Sequence, residues 1–262
     1  MRADLGSEPG AVSSGSYFFL TVGLNEMTMI VSKELTHGSR RQTLVQKVLV
    51  KFFKGEYRPN QRMTVQSLAQ EWNVSATPVR EALVELEGIG IVEIYPNRGA
   101  ILRNFGAKEL REICQVRRIL ETEATRCACG HITPHELGRL EKIFSELATA
   151  ERTIEWSEKT QEWDDYLHEL IYRTCGSERL EHEINRYKIL YRTLRNVRHS
   201  KRQDDSDFDR MDENAEHLLV VQALATGDPE KAAQAMNAHL SQTPVGLVRD
   251  LFQEEESDEL VY

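Results

Sequence analysis

Between Arg41 and Lys54 the apolar residues Leu44, Val45, Val48, Leu49 and Phe52 recur at helical spacing, and Gly55 closes the run. Tyr57-Arg58-Pro59-Asn60-Gln61 reads as a loop. Thr64 is placed to cap a short helix carrying Leu68 and Ala69. Ser75 is placed to cap the next helix, which tolerates Pro78 in its first turn and turns Leu83, Leu86 and Ile89 inward. Gly90 is its natural stop. The period then shortens to two. Val92 to Tyr95, the turn Pro96-Asn97-Arg98-Gly99, and Ala100 to Leu102 read as strand, turn, strand. Helices followed by a hairpin in this order suit a winged helix-turn-helix, which lays its second motif helix in the DNA major groove.

Beyond Ala107 the strand signal disappears. Six helical segments are expected, at 107–130, 134–153, 157–175, 178–200, 209–226 and 229–252. Gly176 separates the third from the fourth, and Asp228-Pro229 opens the last with Pro at the first helical position. The fold class is therefore mainly α, an N-terminal winged helix-turn-helix followed by a C-terminal all-helical bundle. Four stretches are expected. Residues 1–39 form a disordered extension, 40–104 the DNA-binding head, 105–252 the helical effector-binding and dimerisation part, and 253–262 an acidic tail. Met27 and Met29 lie closer to the folded region than Met1 and are alternative starts.

Charge sharpens this division. The chain of 262 residues has a net charge of -9, which looks wrong for a nucleic-acid binder. Residues 40–104, however, carry ten Lys/Arg against six Asp/Glu, whereas residues 105–262 carry 21 against 32. A basic head on an acidic body puts phosphate affinity where the motif is. No apolar run approaches the ~18 residues of a membrane span, and Tyr17 to Gly23 lacks the flanks of a secretory signal. Four cysteines in a chain this long make no disulfide framework, so reduced thiols and a cytoplasmic location are expected. Cys127-x-Cys129 is one pair without a second and reads as packing.

In the head, Arg80 stands one turn into the second motif helix, where it reaches a base edge or a phosphate while Leu83 faces inward. Ser75 and Thr77 carry hydroxyls at that helix start, where backbone N–H groups attract phosphate. Asn97 and Arg98 occupy the hairpin tip, from which Arg98 reaches the minor groove or a phosphate. The plainer alternative pairs Arg80 with Glu81 or Glu85 on a solvated face.

In the body, Asp164 and His168 stand at i and i+4 on a stripe with Leu167, Ile171 and Cys175. His217 shares a face with Val220, Val221 and Leu224, and His239 shares one with Ala232, Ala235 and Met236. Four polar side chains thus project from three apolar faces. Burying each unpaired costs about 1–3 kcal/mol or more. Convergence on one cation removes that cost. An Asp/His₃ set with spare positions for water or ligand suits a divalent ion, zinc first, with nickel or manganese as alternatives. Arg117 lies among Leu110, Ile113, Leu120 and Ala124, and a guanidinium directed into a bundle needs an anion. Glu121, at i+4, is one available anion, and Arg118 is the fallback cation, expected to face solvent.

The run Val74-Ser75-Ala76-Thr77-Pro78-Val79-Arg80-Glu81-Ala82-Leu83 resembles the signature of the GntR superfamily of bacterial transcription regulators. The helical body is similar to the ligand-binding domain of its FadR subfamily, the FCD domain, and its six segments look closer to the VanR group. The resemblance implies a homodimer on a near-palindromic double-stranded operator, a regulator controlled by a small organic acid, as a repressor relieved by it first and as an activator in the alternative, and no membrane. It implies a metal set at Asp164, His168, His217 and His239. It also implies that Arg117, four residues before Glu121, meets the effector's carboxylate, for which bidentate geometry suits Arg. Three departures are visible. Ala76 stands where the family usually has Arg, Gln66 occupies a DNA-facing position often charged in relatives, and Leu167 replaces a usual Phe before the first His. Operator identity therefore does not carry over. Two rivals remain. One is a metal-dependent hydrolase fused to a DNA-binding head, for which His168-Glu169 lacks the second His of a zincin helix because Tyr172 stands there. The other is a regulator whose metal is purely structural.

Overall fold

A computed structural model of the protein describes residues 37–96, 98–201 and 210–252. Most of the expected N-terminal extension, the hairpin-tip residue Asn97 and the expected acidic tail lie outside the described residues. Among the described residues there are nine helices and three strands.

The head begins with α1 (His37–Phe53), four residues before the amphipathic segment expected from Arg41, so 37–39 open a helix instead of closing an extension. Backbone hydrogen bonding continues a helix past the last residue that needs burial. At the other end Gly55 adopts φ +76 and donates to the Phe52 carbonyl, while Glu56 donates to Lys51, a Schellman termination. A strand unmarked by any periodicity follows, β1 (Arg62–Met63), two residues paired antiparallel with Ile101 and Ala100. α2 (Val65–Glu71) is capped by Thr64, whose Oγ1 accepts from the Ser67 N–H at 3.0 Å while the Ser67 hydroxyl accepts from the Thr64 N–H at 3.2 Å. α3 (Ala76–Gly88) begins after Ser75, which occupies the N-cap with no side-chain cap hydrogen bond, contrary to expectation. Gly90 ends it at φ +80.

β2 (Val92–Tyr95) and β3 (Gly99–Leu102) form the expected hairpin, and the sheet order is β1-β3-β2. Gly99 is required at the hairpin's return. It has φ +86, and a Cβ there would lie 2.3 Å from the Met63 carbonyl oxygen of β1.

The body comprises α4 (Ala107–Ala128), α5 (Pro134–Thr149), α6 (Ile154–Thr174), α7 (Glu178–Lys201), α8 (Arg210–Ala225) and α9 (Pro229–Phe252), six helices as expected. α4 packs on α9, α5 on α8, and α6 on both α4 and α7. Asp228 caps α9, its Oδ1 accepting from the Glu230 and Lys231 N–H groups.

Two apolar clusters fill these parts. The first is built on Leu49, Leu86, Ile91 and Leu102 of the head, and it continues through Leu110 of α4, Leu190, Tyr191 and Leu194 of α7, and Leu247 and Val248 of α9. The second lies within the body, around Leu140, Phe144, Leu167, Ile171 and Met236. α7 therefore contributes to the core that holds the head in place, a link that decides how the body can address it.

Candidate metal centre and DNA-reading surface

Asp164 and His168 come from α6, His217 from α8 and His239 from α9, and all four are buried. Each apolar face expected to carry them is packed inward: Leu167, Ile171, Val220, Val221, Leu224 and Met236 belong to the body cluster. The four side chains offer donor atoms that all lie within 4.8 Å of one another. His217 Nε2 is 3.1 Å and His168 Nε2 3.7 Å from Asp164 Oδ1. The ring centroids of His217 and His239 are 4.4 Å apart, and that of His168 is 5.6 and 5.5 Å from them.

Hydrogen bonding within this cluster is incomplete. His168 Nε2 and both ring nitrogens of His217 are buried without a hydrogen-bond partner. The 3.1 Å approach of His217 to Asp164 thus lacks the angle of a hydrogen bond. Three nitrogen sites left orphaned inside a bundle cost several kcal/mol by the usual penalty of about 1–3 kcal/mol each. The remaining contacts organise the rings. His168 Nδ1 meets Glu121 Oε2 at 2.5 Å, and His239 Nδ1 meets Glu216 Oε2 at 2.8 Å. A carboxylate on Nδ1 selects the tautomer that turns a bare Nε2 inward, the usual support of a metal-binding histidine. Burial, then the neighbouring His217, pushes the pKa of His239 below its ordinary value, the direction that favours the neutral ring a metal needs. The donor types, their burial and their orphaned nitrogens fit a borderline divalent ion.

Two arginines flank the donors. Arg117 pairs through Nε with Glu121 and stacks on the Tyr191 ring, 4.1 Å from its centroid. The internal pair weighed from the sequence is therefore formed. Arg118 is half-buried and reaches Ser241 Oγ at 3.3 Å, not directed purely to solvent as expected. The second flanking guanidinium is Arg195 of α7, ion-paired with Asp164 Oδ2. Burial raises the pKa of both carboxylates, but Arg195 at Asp164, and Arg117 with His168 at Glu121, outweigh it and hold both below the ordinary range.

Arg195, Glu216 and the His168 partnership of Glu121 escaped sequence reasoning. Glu216 merely precedes a histidine, and Arg195 sits on a helix with charges around most of its circumference. Only the packing of α7 and α8 against α6 and α9 reveals them. Asp165, adjacent to the donor, points away and pairs with Arg192 at 2.8 Å. Glu169 is held by Lys188 and Arg173, each at 2.6 Å, so no carboxylate base from the His168-Glu169 dipeptide stands at the donors.

On the head, Gln66, Ser75, Thr77, Arg80 and Arg98 are all exposed. Among the described residues Arg80 has no ion-pair partner; Glu85 is taken by Arg41 at 2.8 Å. The Arg98 carbonyl accepts from Arg62 Nε at 2.7 Å, which pins the hairpin turn while leaving the Arg98 side chain outward. Val84, on the same outer face of α3, is 61% exposed, an apolar side chain that sequence reasoning passed over.

No helix among the described residues is long and apolar enough to cross a membrane. Residues 40–102 match the gntR family of bacterial regulatory proteins, and residues 112–242 match the FCD domain. The chain is 28% identical over 208 residues to the HTH-type transcriptional regulator LutR of Bacillus subtilis (strain 168), covering 71% of this chain and 91% of LutR. It is 31% identical over 97 residues to the HTH-type transcriptional regulator McbR of Escherichia coli (strain K12), covering 37% of this chain and 44% of McbR. The solved structure of E. coli McbR/YncC shares the fold, with a TM-score of 0.58 at 21% identity over 80% of this chain and 98% of that one. The relatives are transcription regulators, not enzymes, and the hydrolase alternative falls with them. With a DNA-binding head matched at one end and a helical domain matched over half of the chain, this chain belongs to the GntR family of bacterial transcription regulators and carries an FCD domain.

Proposed function

We propose that the protein is a homodimeric, cytoplasmic repressor whose operator affinity is lowered by a small organic acid bound at a divalent ion in the helical body. The observation that carries this reading is the buried quartet Asp164, His168, His217 and His239, with three of its nitrogens lacking any hydrogen-bond partner. An ion held there, zinc first and nickel or manganese next, would supply a Lewis-acidic seat for a carboxylate oxygen.

The charges around the quartet favour an anion as the ligand. Asp164 and Glu121 are matched by Arg195 and Arg117. A divalent ion adds two positive charges, and the half-buried Glu216 answers one of them. The remaining positive charge in a buried site is neutralised by an acid. Arg117, half-buried beside the donors, serves as the acid's second anchor, trading part of its grip on Glu121 for the incoming carboxylate.

The head reads DNA with α3 in the major groove. Arg80 contacts a base edge or phosphate, Ser75 and Thr77 meet phosphate at the helix start, and Gln66 contacts the adjoining backbone. Arg98 and Asn97 at the hairpin tip approach the minor groove. The uncapped Ser75 hydroxyl is available for that contact. Two heads bind the half-sites of a near-palindrome, as two-fold proteins do. The acid acts by favouring one arrangement of the bundle over another, and its effect is bounded by that difference in affinity. α7, which contributes to the head-side core and carries Arg195 at the donors, is the element placed to relay the change.

The test is a thermal-shift screen against carboxylic acids with and without chelator, followed by operator-binding titration with the acid found. Acid-dependent stabilisation that requires metal, with weakened operator binding, supports the sensor. Stabilisation by metal alone, with no acid effective, means the ion is structural.

A further inference from the structure

The carboxylate of Asp164 is divided between two partners. Oδ2 is ion-paired with Nη1 of Arg195, whereas Oδ1 faces the imidazoles, 3.1 Å from His217 Nε2 and 3.7 Å from His168 Nε2. Arg195 is half-buried, its side chain 20% exposed, and the Asp164 carboxylate it meets is 7% exposed. A carboxylate beside a metal can bind through one oxygen or both, and the choice changes how many coordination positions remain for anything else. A guanidinium holding one oxygen settles that choice.

We propose that Arg195 is a positioning residue that makes Asp164 a one-oxygen ligand. The inference rests on the metal reading given above and adds to it a residue outside the donor set. With Oδ2 held, Asp164 presents Oδ1 alone, and the quartet would hold an ion through one atom from each residue. Were Oδ2 free, it would compete for the position a ligand oxygen needs. Arg195 therefore keeps a coordination position open for the acid, and it orients the carboxylate as Glu121 and Glu216 orient His168 and His239.

Co²⁺ alone is the probe, because its visible bands report coordination number. Full-length protein is stripped of metal and titrated with Co²⁺ as wild type, Arg195→Met and Arg195→Lys. Arg192→Met, a change at an arginine of the same helix that pairs with Asp165 away from the donors, serves as control. Arg195→Met should bind Co²⁺ about 10- to 100-fold more weakly, the usual cost of losing an outer-shell partner. Its bands should also be less intense, as Asp164 closes on the ion with both oxygens and coordination rises. Arg195→Lys, which keeps a cationic donor, should recover most of the affinity and the band intensity, and Arg192→Met should match wild type. Should Arg195→Met not fold by circular dichroism, Arg195→Gln takes its place with the same expectation. Equal or tighter Co²⁺ binding with unchanged bands in the Met or Gln variant overturns the assignment to Arg195 while leaving the metal reading intact. Failure of wild type to take up Co²⁺ overturns both.

Discussion

Leu49, Leu86 and Ile91 are fully buried among apolar neighbours, whereas His217, equally buried, encloses two ring nitrogens that have no hydrogen-bond partner. The first arrangement is complete. Each side chain there is stabilised by leaving water, at roughly 1.5–3 kcal/mol apiece. In the second, a desolvated imidazole gains nothing from burial without a polar partner. The contrast teaches that the head-side core is complete from its own side chains, while the polar centre of the body, on the reading proposed above, depends on a bound ion. A regulator benefits from that difference. On that reading, the part that reads DNA should not soften when the signal is absent, and the helical body should respond to occupancy.

The comparison breaks most severely at the head-side core. Leu86→Ala should cost about 2–5 kcal/mol, measured as a shift in the urea midpoint, and the loss should be the same with chelator or with added Zn²⁺. His217→Ala should behave in the opposite way. The stabilisation that Zn²⁺ confers on wild type, about 4 kcal/mol at a thousandfold excess over the dissociation constant, should vanish from its melting curves. The stripped variant should lose far less against stripped wild type. A zinc-dependent shift surviving in His217→Ala would remove the donor set from the explanation.

Arg80→Ala should weaken operator binding by about 1–3 kcal/mol, read by fluorescence anisotropy at fixed salt, with the zinc-dependent melting shift unchanged. A change in that shift would mean the two regions are not separable in this way. The smallest effect concerns pH. Asp164 and Glu121 are held below the ordinary carboxylate range in the folded protein, so the stability they contribute is present above their unfolded values of about 4. It is lost as pH falls through the folded values. Metal-free protein should therefore show a falling urea midpoint below about pH 4.5. Glu121→Gln should flatten that slope, and a variant as steep as wild type would contradict the assignment.

Much of this was legible in the chain before any folding was considered. The stripe Leu44-Val45-Val48-Leu49-Phe52, the hairpin around Gly99 and the six body helices follow from local periodicity and from glycine's freedom at positive φ. Asp164, His168, His217 and His239 were legible as polar intrusions on apolar stripes, because a helix repeats its faces every three to four residues. The strand β1 was not, since two residues carry no period and its existence depends on pairing with Ile101 and Ala100. Nor could Ser75 be known to leave its cap unmade.

The chain by itself determined which side chains must be buried together and which polar groups go in with them, because amphipathic spacing is a property of neighbours a few residues apart. Only the tertiary structure decided how those groups are shared out: Glu121 between Arg117 and His168, Asp164 between Arg195 and the imidazoles, and α7 between the head-side core and the donors. The Asp164–Arg195 and Glu121–His168 partnerships join residues 31 and 47 positions apart in the chain, unlike the i,i+4 pair of Arg117 with Glu121. They depend on how helices cross, which no local pattern encodes.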